Sequence, residues 1–149
     1  MKKIHHIWLT VHSKPEDNET KVLTNLKKFI PLNLGDEKIE IQITKATSVK
    51  ERIVKIFQVH LEKTRHINLF IKNLNNILTE KQKQLLIKQE ESRLDNENHF
   101  FLRFDKDILI NENRFFITDK GNCYHIKMSI AAYPTTRQNA LKIVKKIFT

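Results

Sequence analysis

Apolar and polar residues alternate along residues 4–12. Ile7, Leu9 and Val11 fall on one side, and His6, Trp8, Thr10 and His12 on the other. That period of two predicts a strand with one buried face. Ser13 and Pro15 then signal a helix start, and Val22, Leu23, Leu26, Phe29 and Ile30 supply an apolar stripe before Pro31 and Gly35 end it. Alternation returns over 38–44, with Ile39, Ile41 and Ile43 expected inward. It returns again over 52–62, where Phe57, Val59 and Leu61 share a face. The short polar link from Ala46 to Glu51 makes these two a hairpin.

The period then changes. Behind a candidate N-cap, Thr64, the residues Ile67, Phe70, Ile71, Leu74, Ile77 and Leu78 repeat at helical spacing. Thr79-x-x-Gln82 is a capping-box pattern that opens another helix, expected to run to about Arg93. Residues 98–104 alternate as a strand, and 106–112 predict one helical turn behind Asp105. Residues 114–118 and 123–133 predict a hairpin around Asp119-Lys120-Gly121-Asn122. Thr135 or Thr136 caps a last helix with Leu141, Val144, Ile147 and Phe148 inward. The order β-α-β-β-α-α-β-β-β-α predicts one α+β domain over 1–149. It is a two-layer sandwich, with helices on one face of a mostly antiparallel sheet.

Composition narrows the class. With 40% hydrophobic and 30% charged residues the chain is globular, and its short apolar runs cannot span a bilayer. One cysteine, Cys123, allows no intrachain disulfide, and the N-terminus lacks a signal core; both predict a cytoplasmic protein. The formal charge of +10 favours polyanionic partners, although a Lys- and Asn-rich genome bias produces the same total. Placement is therefore more informative than the sum. Positive charge concentrates from Lys45 to Lys72 and in the last helix, which carries Arg137, Lys142, Lys145 and Lys146. Dipole complementarity also accounts for lysines near a helix C-terminus.

Two glycines, Gly35 and Gly121, cannot build a Gly-rich phosphate loop, a dinucleotide fingerprint or a GxxG clamp. No C-x-x-C or H-E-x-x-H spacing is present, so no metal or cofactor is expected. Asp105-x-Asp107 reads as a cap and a first-turn acid. His12, His125 and Lys127 could form an acid–base set for RNA cleavage, but the H-x-[ST] pair of cyclic phosphodiesterases is missing. The polar sheet face interleaves Trp8 and Phe101 with His6, Arg103, His125 and Lys127. Such a face either holds nucleic acid or lies under a loop, a helix or a second subunit.

Several blocks together resemble a family. They are Glu62-Lys63-Thr64-Arg65-His66-Ile67-Asn68, then Glu91-Ser92-Arg93-Leu94-Asp95 leading into His99-Phe100-Phe101-Leu102-Arg103-Phe104-Asp105-Lys106. Thr118 to Lys127 and Ala131-Ala132-Tyr133-Pro134 complete the set. The chain resembles small archaeal RNA-binding proteins described as predicted exosome subunits, whose fold is similar to that of the ribosomal protein that binds five-S ribosomal RNA. The resemblance implies an antiparallel α+β fold, no catalytic activity and RNA contact, with exosome- or ribosome-associated proteins as partners. Thr64 stands where the pattern has proline, and Asn122 where it has an acid beside Cys123; the second departure weakens any metal site there. Charge and resemblance together select Lys63, Arg65, Arg103, Lys127 and Arg137 as phosphate contacts, with Trp8, His66, Phe101 and His125 beside them. A homodimeric assembly subunit is the alternative.

Overall fold

The computed structural model describes residues 2–149. Five strands form one antiparallel sheet in the order β2-β3-β1-β5-β4. They are β1 (Ile4–Ser13), β2 (Gln42–Thr47), β3 (Ile53–Leu61), β4 (His99–Asp105) and β5 (Cys123–Ile130). The helices are α1 (Glu19–Lys27), α2 (Thr64–Ile77), α3 (Glu80–Lys88), α4 (Glu90–Arg93), α5 (Lys106–Glu112) and α6 (Arg137–Ile147). The expected α+β two-layer sandwich is what the chain forms.

The alternation explains the layers. Ile7, Leu9 and Val11 of β1 are buried with Phe57, Val59 and Leu61 of β3, Phe100, Leu102 and Phe104 of β4, and Tyr124, Ile126 and Met128 of β5. Helical stripes close the core from α1 (Val22, Leu26), α2 (Ile67, Phe70, Leu74) and α6 (Ala140, Ile143, Val144, Ile147). Burying side chains of this size contributes ~1.5–3 kcal/mol each. Tyr124 enters the core because its hydroxyl donates to the Val22 carbonyl oxygen at 2.7 Å.

Several expectations need correction. β2 begins at Gln42, not residue 38, and all six of its residues are exposed; Ile43 is 61% exposed rather than inward. It is one of the two edge strands, paired on one side only, with β3. The first helix starts at Glu19 behind the N-cap Asn18, whose side chain accepts from the Lys21 N–H; Ser13 instead ends β1 in the interior. Lys63, not Thr64, is the N-cap of α2. The helix expected from 79 to 93 breaks at Gln89 into α3 and α4. The second arm of the predicted hairpin ends at Ile130, and its first arm does not pair with β5. The Thr118 N–H donates to the Arg103 carbonyl and the Asp105 N–H to the Phe116 carbonyl, so this segment caps the outer edge of β4. The capping box at Thr79 and Gln82 is present, and Asp105 caps α5 through the Ile108 N–H.

Candidate nucleic-acid interface

The second face of the sheet carries the remaining side chains, and antiparallel register sets them in rows. Trp8 lies opposite His60 on β3 and opposite Lys127 on β5, and Lys127 lies opposite Phe101 on β4. One row along, Gln58, Thr10, His125 and Arg103 line up the same way. Side chains directly opposite in neighbouring strands are close enough to touch.

They do touch. The Trp8 and His60 rings stack at 5.1 Å with 6° between their planes, and His6 stacks on Trp8 at 5.3 Å. Lys127 Nζ sits 5.2 Å from the Trp8 ring centroid, and His99 meets Trp8 edge-on at 6.0 Å. Phe101 is flanked by His125 at 5.4 Å and by the Arg103 guanidinium at 6.0 Å. Trp8, Phe101, Arg103, His125 and Lys127 are all half-buried. Each cation–π contact contributes ~0.5–1 kcal/mol at such a site and holds a long side chain in place.

Charge is unbalanced here. Arg103 and Lys127 form no ion pair among the described residues. Their field has a visible effect on His125: burial, then Arg103, Lys127 and His12, push its pKa down to about 4. The ring is therefore neutral at pH 7. Burial, Lys106 and Lys14 likewise lower His12. Cys123, beside this row, is half-buried, and burial raises its thiol pKa, so it is a poor nucleophile.

The other residues selected from sequence lie elsewhere. Lys63 is exposed at the start of α2. Arg65 pairs with Glu37, which also meets His66 Nε2 at 3.4 Å, and His66 is only 5% exposed. The Arg65 hydrogen bond and the neighbouring His66 hold the Glu37 carboxyl below its usual range. Arg137 donates to the carbonyl oxygens of Glu91 at 2.6 Å, Leu94 at 3.0 Å and Asp95 at 3.4 Å, joining α6 to the end of α4. Five of the nine selected residues thus form one surface. Sequence reasoning left out His60, His99 and Gln58 as its members. Parity along β3 and β4 marks them as outward, but only the strand order makes them neighbours of Trp8 and Lys127.

A family model described as RNA binding matches residues 6–132, from the first ring of this surface to beyond β5. The chain belongs to this RNA-binding family. It is 20% identical over 143 residues to RNA-binding protein PAB1135 of Pyrococcus abyssi, a match that covers 95% of this chain and 92% of that protein. Among solved structures, protein AF2318 of Archaeoglobus fulgidus superposes with a TM-score of 0.85 at 22% identity, covering 97% of this chain and 99% of that one. Mth689, a DUF54 protein of Methanothermobacter thermautotrophicus, gives 0.78 at 22% identity, over 99% and 100%. These neighbours share the fold. No helix of the described residues is long and apolar enough to cross a membrane.

Proposed function

We propose that the protein binds RNA on the polar face of its sheet, meeting the phosphate backbone with Lys127 and Arg103, and that it does not cleave it. One observation carries this reading. Both aromatic residues of the face already have partners on their rings: Trp8 between His60 and Lys127, Phe101 against His125 and Arg103. The rings serve as supports that hold cations in a row, rather than as free platforms for bases. Phosphates spaced along a single strand suit such a row, and each one neutralised releases counterions. Arg65 and Arg137 are committed to carboxylate and carbonyl partners, so the proposal gives them a structural part only. Lys63, exposed at the start of α2 and without an ion pair among the described residues, is a further contact outside that face. The wider role, within an exosome- or ribosome-associated assembly, follows the same reading.

Trp8 is the only tryptophan, so its fluorescence follows this face alone. Titration with a single-stranded oligoribonucleotide should quench it saturably. Two phosphate contacts predict a log–log salt slope of about −1.4, at ~0.7 per phosphate. No binding at low salt overturns the proposal, and binding that leaves Trp8 unchanged moves the RNA to another surface. The oligonucleotide should remain intact through the titration; cleavage products on a gel overturn the non-enzymatic part. A second reading, a homodimer, draws on the β2–β3 hairpin, where Ile43 of β2 and Ile53 of β3 are exposed and the outer edge of β2 is uncovered among the described residues. Sedimentation as a monomer removes it.

A further inference from the structure

We propose that His6, His60 and Glu62 form a binding site for a divalent transition ion of the zinc class. The site stands on geometry alone and does not depend on the RNA reading. β1 and β3 pair with Ile7 opposite Leu61, and Trp8 is opposite His60. One step further in that register sets Glu62 opposite His6. All three residues fall on the outer face, since the residues between them, Ile7 and Leu61, point into the core. One ligand atom from each lies within 4.8 Å of the other two.

The two imidazoles are nearly in ligating position. His6 Nδ1 and His60 Nε2 are 2.9 Å apart. In a tetrahedral zinc site with bonds of ~2.0–2.1 Å, two nitrogen ligands stand ~3.3–3.4 Å apart. Separating the rings by roughly 0.4 Å therefore admits an ion and replaces the contact between the two rings with two coordination bonds. Little ordering remains to be done, because both rings already stack on Trp8, at 5.3 and 5.1 Å. Two imidazoles with one carboxylate favour zinc, nickel or copper over magnesium or calcium, which prefer all-oxygen shells. His60 and Glu62 also line a surface hollow shared with Glu40, Gln42 and Lys63, which gives the ion a path from solvent. Three protein ligands leave a position for water. The standard sequence motifs miss this site because its two histidines are 54 residues apart and meet only through strand pairing.

The test uses the untagged full chain, stripped with EDTA, and titrates nickel(II) while following Trp8 emission. The indole touches both ligand rings, so a bound paramagnetic ion quenches it. Saturable quenching by one ion per chain, reversed by EDTA, competed by zinc(II) and unaffected by magnesium(II), is the expected result. Calorimetry with zinc(II) should give the same stoichiometry. Glu62→Gln, an exposed substitution, should weaken the ion roughly tenfold or more, and His60→Gln should weaken it further. The proposal is overturned if quenching does not saturate, or if either variant binds nickel(II) and zinc(II) as tightly as the parent. Should His60→Gln fail to fold, Glu62→Gln alone still decides.

Discussion

Trp8 owes its place to register more than to burial. A tryptophan on an outward strand position would ordinarily present a large apolar face to water. Here the strands on either side supply His60 and Lys127, and the indole lies between them. Lys127 in turn gains an orientation that a solvated lysine lacks. Lys127→Gln should leave folding intact while weakening RNA binding about three- to tenfold and reducing the salt slope by ~0.7–1. An unchanged slope would remove Lys127 from the interface. Arg137→Lys is the contrasting case. It keeps the charge but cannot reproduce a guanidinium that donates to three carbonyls. Thermal denaturation should show a loss of ~1–3 kcal/mol, while RNA affinity measured on the folded variant stays as it was.

At the scale of elements, buried charge decides where the first helix begins. Lys106 is 0% exposed, and its Nζ donates to Asp17 Oδ2 at 2.7 Å and to the His12 carbonyl at 2.8 Å. The Lys106 bond and the Lys14 N–H hold the Asp17 carboxyl below its ordinary pKa, despite the opposing effect of burial, which is the largest single influence. This ties residues 13–18 down as a turn and delays α1 to Asn18. Asp17→Ala should cost about 3–5 kcal/mol in urea denaturation, because it leaves a buried ammonium with one neutral partner. Adding Lys106→Met should recover most of that loss; a double variant as unstable as the single one would refute this account. Nothing in the local pattern announces that ion pair, since 89 residues separate its members. The same distinction runs through the fold. Elements specified by their own periodicity or caps, such as β1, the stripe of α2 and the box at Thr79, were legible in the sequence. The exposure of β2 and the placing of residues 114–118 against β4 depend on strand order, which no local pattern records. The proposed interface divides likewise. Trp8, Phe101, Arg103, His125 and Lys127 follow from parity, whereas Arg65, His66 and Arg137 look like free surface groups until Glu37 and the carbonyls at the end of α4 come into contact with them.

Across the whole molecule, the formal charge of +10 is spread in a way the sequence runs misrepresent. Arg52 pairs with Glu16, Lys55 with Glu19, Arg65 with Glu37 and Lys145 with Glu90, each acid distant in sequence from its cation. Among the described residues Arg103 and Lys127 on the sheet stay uncompensated, and burial first, then their field, lowers His125 to about 4. A histidine whose native pKa lies below its unfolded value of ~6.5 binds its proton first in the unfolded chain. Stability is therefore full above pH ~6.5 and falls as the pH drops toward 4. His5 and His12 are lowered in the same direction, by burial first. The carboxylates Asp17, Glu37 and Asp95 are lowered too, and their contribution is lost only in the lower carboxylate range. Acid unfolding should thus show an early limb between pH 6.5 and 4, of about 1–2 kcal/mol once partial solvent screening is allowed for. His125→Gln should shrink that limb to the share of His5 and His12 and leave the lower one. The proposed RNA contact predicts a coupling to the same proton: a phosphate beside Arg103 and Lys127 should offset their field and favour the imidazolium, so binding should take up a proton as the pH falls toward 4. Affinity should then rise as the pH falls from ~6.5 in the parent and lose that dependence in His125→Gln. An RNA affinity with the same pH profile in both proteins would separate His125 from the bound phosphate.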